Sequence, residues 1–161
     1  MSKIVVIGSS NTDMVVKTHQ FPAPGETILG GEFFMFSGGK GANQAVAAAR
    51  TGGDTLFICK TGDDIFGRSA ISVFQKEGIN TKHISIDSTK ASGVALITVD
   101  ANGENEIVVA PGANDTLIEL DIKAAEKEII ESEIILMQLE VPVKTVYFAA
   151  QLATYHRKVL S

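Results

Sequence analysis

Three short apolar runs punctuate the chain: Ile4–Ile7, Leu56–Cys59 and Ile134–Leu139. Each is continuous rather than alternating, the pattern of a strand buried on both faces of a sheet. Between them lie stretches with helical signals. A small-residue run from Ala42 to Arg50 predicts a helix ended by Thr51-Gly52-Gly53, where glycine takes the left-handed cap. Thr61-Gly62-Asp63-Asp64 offers an acidic N-cap to a second helix, which reaches about Glu77 and stops at Gly78. A third helix is predicted from about Leu120 to Glu131. A fourth runs from Val143 to about Tyr155, with Pro142 in its first turn. This alternation predicts an α/β fold with a parallel, Rossmann-like sheet and crossover helices.

Two stretches depart from the alternation. Met14–Lys17 and Thr27–Phe36 read as extended, separated by the turn-rich Phe21-Pro22-Ala23-Pro24-Gly25. Gly93–Val99 and Glu104–Ala110 flank Asp100-Ala101-Asn102-Gly103, whose Asn-Gly pair signals a hairpin. Four extended segments without intervening helices predict a small antiparallel β sheet, spanning about 14–36 and 93–110. A second sheet of this kind, beside a pocket, is a candidate lid. No repeat or linker divides residues 1–161, which read as part of one α/β domain.

Composition narrows the class. With 45% hydrophobic and 20% charged residues the chain can bury a real core, and no apolar run is long enough for a membrane span. No charged-then-apolar leader precedes the first strand. The lone Cys59 sits inside an apolar run, reads as core and fits a reducing cytoplasm. A net charge of −5 without a basic block argues against a nucleic-acid surface. His19, His83 and His156 have no metal-ligand spacing and read as surface residues, so no metal site is expected.

Candidate chemistry gathers at the predicted strand ends. Open parallel sheets bind ligands beyond the carboxyl ends of their strands. Gly8-Ser9-Ser10-Asn11-Thr12-Asp13 follows the first strand and Glu140 follows the third. Ser37-Gly38-Gly39-Lys40-Gly41-Ala42-Asn43 enters a helix N-terminus. Taken singly, Asn11 and Asp13 suit a turn, Glu140 a solvated position before Pro142, and Lys40 a surface loop. Together they suit a polyol: Asp13 and Glu140 accept, Lys40 and the glycine N–H groups donate, and Asn11 and Asn43 do either. Two carboxylates would repel an anion, which makes a sugar a better guest than a phosphate. Gly38-Gly39-Lys40-Gly41 also lacks P-loop spacing, and Gly8-Ser9-Ser10-Asn11 lacks the later glycines of a dinucleotide fingerprint.

These residues resemble the ribokinase branch of the phosphofructokinase-B-type carbohydrate kinases. The resemblance rests on an ordered series: Gly8–Asp13, Pro24-Gly25-Glu26-Thr27, Ser37–Gln44, Thr61–Gly67, Gly93–Ile97 and Met137–Glu140. It implies ATP-dependent phosphorylation of D-ribose at the 5-hydroxyl. It also implies a sugar site built from Asn11, Thr12, Asp13, Gly39, Lys40, Gly41, Ala42, Asn43 and Glu140, with Ala95 and Ile97 as lid contacts. Magnesium, a monovalent cation such as potassium and a homodimer formed through the β lid follow from the same resemblance. The family's catalytic aspartate, in a Gly-Ala-Gly-Asp motif, and its nucleotide-binding half lie beyond this stretch. Gly112-Ala113-Asn114-Asp115 is only an echo, and Asp115 is not expected to be the base. The chain is therefore expected to carry the sugar-binding half and to be inactive alone. A non-catalytic sugar-binding or sensing module and a Rossmann-type nucleotide-binding domain are the alternatives.

Overall fold

The computed structural model describes residues 2–161. The central sheet contains β1 (Lys3–Ile7), β4 (Asp54–Gly62), β5 (Ile84–Asp87), β8 (Ile134–Met137) and β9 (Val159–Leu160) in the order β5-β4-β1-β8-β9. Every pairing is parallel. The apolar runs of β1 and β4 pack against both faces, as side chains alternate across the pleat, whereas β8 is mostly half-buried. Val5, Ile7, Leu56 and Ile58 join one core with Ile122, Ile129 and Ala149. Val6, Phe57 and Cys59 join the other with Ala45 and Phe74. Helices α1 (Lys40–Arg50) and α2 (Ile65–Lys76) cover one face; α3 (Glu119–Ala124), α4 (Glu126–Glu131) and α5 (Val143–Tyr155) cover the other. Among the described residues no helix is long and apolar enough to cross a membrane.

The second sheet is built from β2 (Asn11–Lys17), β3 (Glu32–Gly38), β6 (Gly93–Val99) and β7 (Asn105–Ala110), ordered β3-β2-β6-β7. It is mixed rather than antiparallel, because its central pair, β2 and β6, runs parallel. Residues 18–92 connect these two strands and include β3, both helices of one face and two strands of the central sheet. A crossover of that length permits parallel pairing. The predicted hairpin turn is present, with Gly103 at φ 84° and the Asp100 carboxylate accepting the N–H groups of Asn102 and Glu104.

Other differences are local. The third predicted helix is two, broken at Ala125. There the N–H of Ala125 reaches back three residues to Ile122, and the tightened turn keeps Ile122, Ala125 and Ile129 in one core. Strand β8 stops at Met137, freeing Gln138-Leu139-Glu140 to turn over the sheet end. Strands β5 and β9 are additions to the predicted elements, and Val159–Leu160 pairs with β8. His83 and His156 are partly buried beside Glu128 and Glu126 rather than surface residues.

Candidate functional site

From β1 the central sheet grows outward through β4 and β5; from β8 it grows the other way, through β9. The turns that leave β1 and β8 part at this reversal, where open α/β sheets form a crevice. Residues 8–10 and 138–142 line the opening, and the N-terminus of α1 arrives between them. Ser9 Oγ donates to Glu140 Oε2 at 2.6 Å, and the backbone N–H of Lys40 donates to the same oxygen at 3.0 Å. Lys40 Nζ lies 3.0 Å from Glu140 Oε1. The N–H of Ala42 donates to the Ser9 carbonyl at 2.9 Å, and that of Gly41 to Ser9 Oγ at 3.4 Å. Ser9 and Glu140 thus satisfy the otherwise orphaned N–H groups of the first turn of α1. Such contact needs glycine. Gly39 has φ 94°, and a Cβ on Gly41 would stand 2.6 Å from the backbone of Gly8 and Ser9.

Two carboxylates meet here with opposite electrostatics. Burial pushes Glu140 upward, but hydrogen bonds from Ser9 and Lys40 and the ammonium charge outweigh it and hold the group below its ordinary value. Asp13 is raised, first by burial and then by the charge of Glu140. Asp13 projects from β2 against Gly38, whose missing side chain leaves the carboxyl its space.

Strand register sorts the remaining candidates. Asp13 stands in a row with Phe36, Ala95 and Val109, followed by a row of Val15, Phe34, Ile97 and Ile107. Ala95 and Ile97 therefore share the face that carries Asp13. Thr12 belongs to the opposite face and lines a separate pocket of about 300 Å³ with Met35, Ile65 and Phe66. Asn43, on the exposed side of α1, lines a groove with Val46 and Arg50. Neither lines the cleft over Glu140. A cleft of about 460 Å³ opens instead over Ser9, Asn11, Val109, Asn114, Asp115 and Glu140.

Asn114 is the residue the sequence reading missed. It lies fully buried in the 3-10 turn Gly112–Thr116 and bonds to Ser10 and Asn11. A signal was present: an asparagine between the apolar Ala113 and Leu117, directly after the β6–β7 hairpin. Among the described residues no three His, Cys, Asp or Glu side chains converge as a metal centre.

The chain belongs to the pfkB family of carbohydrate kinases, whose family model matches residues 1–160. It is 45% identical over 150 residues to the ribokinase of Haemophilus influenzae, covering 93% of this chain and 49% of that protein. It is 42% identical over 153 residues to the deoxyribokinase of Salmonella typhi, covering 95% and 50%. Among solved structures, Arabidopsis thaliana ribokinase complexed with ribose and ATP superposes with a TM-score of 0.90 at 26% identity, covering 99% of this chain and 53% of that one. The chain thus spans about half the length of the curated relatives it matches.

Proposed function

We propose that these 161 residues form the sugar-binding half of a ribokinase, which phosphorylates the 5-hydroxyl of D-ribose with ATP. The observation that supports this best is the pair of opposed carboxylates, Asp13 and Glu140, at the reversal point of the sheet. A sugar hydroxyl needs an acceptor for its hydrogen, and carboxylates on rigid elements supply the strongest ones. Asp13, with few competing partners, accepts from the sugar. Glu140 holds the N-terminus of α1 in place and contributes its remaining lone pairs. Lys40 and Asn11 donate, Gly39, Gly41 and Ala42 bring backbone close to the guest, and Ala95 and Ile97 cover its apolar face. The Arabidopsis relative named as complexed with ribose and ATP supports this assignment of substrates.

Phosphoryl transfer also needs a base and groups that neutralise the developing charge. The aspartate, nucleotide pocket and cation sites implied for the family are not among these residues. Among the described residues no three His, Cys, Asp or Glu side chains gather at one point, so these residues do not by themselves fit the magnesium or monovalent cation that the resemblance implies. These 161 residues alone bind sugar without transferring phosphate. Strand β7 is an edge strand exposed at every position, with Val108 on the face away from Asp13, and this supports a homodimer closed through the lid. The buried, unpaired Cys59 suits the cytoplasm.

Isothermal titration with ribose tests the pocket. The native chain is expected to bind, and Asp13→Ala to lose measurable binding while its circular dichroism stays native. Retained affinity in the variant would reduce Asp13 to a residue of the strand.

A further inference from the structure

Asn114 is 1% exposed, yet its side chain makes three hydrogen bonds. The backbone N–H of Ser10 donates to Asn114 Oδ1 at 2.9 Å. A backbone N–H can only donate, so the atom it meets must be the amide oxygen, and the other end of the side chain must be Nδ2. That nitrogen donates to the Ser10 carbonyl at 3.2 Å and to Asn11 Oδ1 at 2.8 Å. The constraint passes along. An amide nitrogen offers no lone pair, so the Asn11 atom facing it must be the oxygen. The Asn11 amino group is left for the cleft that both asparagines line. Gly93, opposite Asn11 in the β2–β6 register, leaves room for the pair, since a Cβ there would overlap both amides.

We propose that Asn114 is a positioning residue that fixes the Asn11 carboxamide with its amino group toward the sugar, making that subsite a donor only. The sequence leaves Asn11 free to donate or accept; the buried pair removes the second choice. The pocket then has a fixed polarity. One sugar oxygen accepts from Asn11, and the hydroxyls facing Asp13 and Glu140 donate. Fluorine accepts weakly and cannot donate, so it can replace a hydroxyl at the Asn11 subsite and not at the carboxylates. This inference rests on the sugar-binding reading for its substrate and on the amide pair alone for its geometry.

Two measurements test it. The first is side-chain amide hydrogen exchange by NMR on the native chain without sugar. Asn114 protons are expected to exchange slowly and those of Asn11 fast, and the Asn11 protons to slow in Asn114→Asp, where an acceptor replaces the donor. Slow Asn11 protons in the native chain would overturn the inference, whether or not any sugar binds and whether or not the variant folds. The second is a series of singly deoxyfluorinated riboses. The native chain should tolerate fluorine at the position facing Asn11 and lose about tenfold or more at the carboxylate-facing ones. Asn114→Asp should lose the tolerated position while still binding ribose. An unchanged profile would contradict the proposal. A native chain that binds no ribose would instead refute the sugar reading and leave the exchange measurement to decide the orientation of Asn11.

Discussion

Asp13 and Glu140 carry the same charge at adjoining points of one crevice, and their surroundings move them in opposite directions. Glu140 is held below its ordinary value of 4.5 by Ser9 and Lys40, against the effect of burial. A carboxylate depressed by folding contributes stability above its unfolded value and loses that contribution as pH falls through the folded one. Glu140→Gln should therefore cost about 1 kcal/mol at pH 7, in keeping with a charge-assisted bond at a partly exposed site. Thermal melts across pH should show its difference from the native chain closing as pH falls below the ordinary carboxylate value and through the lowered one; a gap that stays constant would remove the carboxylate from the account. Asp13 is raised by folding, so its ionisation opposes stability as pH rises through the raised value. Asp13→Asn is expected to melt higher than the native chain at pH 7, by under about 1 kcal/mol, while losing ribose. These residues were legible because their type and their place after apolar runs point to one sheet edge. Thr12 was misread with them: adjacent strand residues face opposite ways, and only the register tells which of two neighbours meets the crevice. Asn114 showed in the sequence only as a polar residue among apolar ones, because its partners lie about a hundred residues away.

Among the elements, the junction between α2 and the second sheet depends on one aspartate. Asp64 accepts the N–H of Gly67 at 2.8 Å, capping α2. It also accepts from the N–H and hydroxyl of Ser92, both at 2.7 Å, at the base of β6. Burial raises Asp64, and these bonds outweigh it to leave the group below its ordinary value. Asp64→Ala should cost roughly 1–2 kcal/mol in urea unfolding, the range of a lost N-cap. It should also speed hydrogen exchange in β6, which a simple cap of α2 would not do. The capping aspartate was readable from the sequence; its second duty was not, since nothing local to Thr61-Gly62-Asp63-Asp64 names Ser92. The same limit explains the lid. Its four strands were visible as extended runs, but their order and the parallel β2–β6 pair depend on how a 75-residue connection returns. Strand β5 escaped because Ile84-Ser85-Ile86-Asp87 sits at a sheet edge and alternates apolar and polar over only four residues.

At the scale of the molecule, apolar surface concentrates beyond β8. Leu139, Val143, Tyr147, Val159 and Leu160 are all exposed around β9 and the start of α5, and the lid adds Phe33, Met35, Leu96 and Val108. Patches of this kind drive association. Sedimentation velocity on the 161-residue chain is expected to show a weight-average size that rises with concentration; a strictly monomeric chain at high concentration would contradict it. The α/β class was legible because three two-sided apolar strands leave few other folds, and the ordered motifs narrowed it to a family. The central claim is that this stretch binds the sugar and leaves the phosphoryl chemistry elsewhere. The most direct test incubates the purified chain with ribose, ATP and magnesium and measures bound ribose and ribose 5-phosphate in the same sample. The account predicts saturable ribose binding that ATP does not alter, with no phosphorylated product. Product formed by these 161 residues, or a folded chain that binds no ribose, would contradict it.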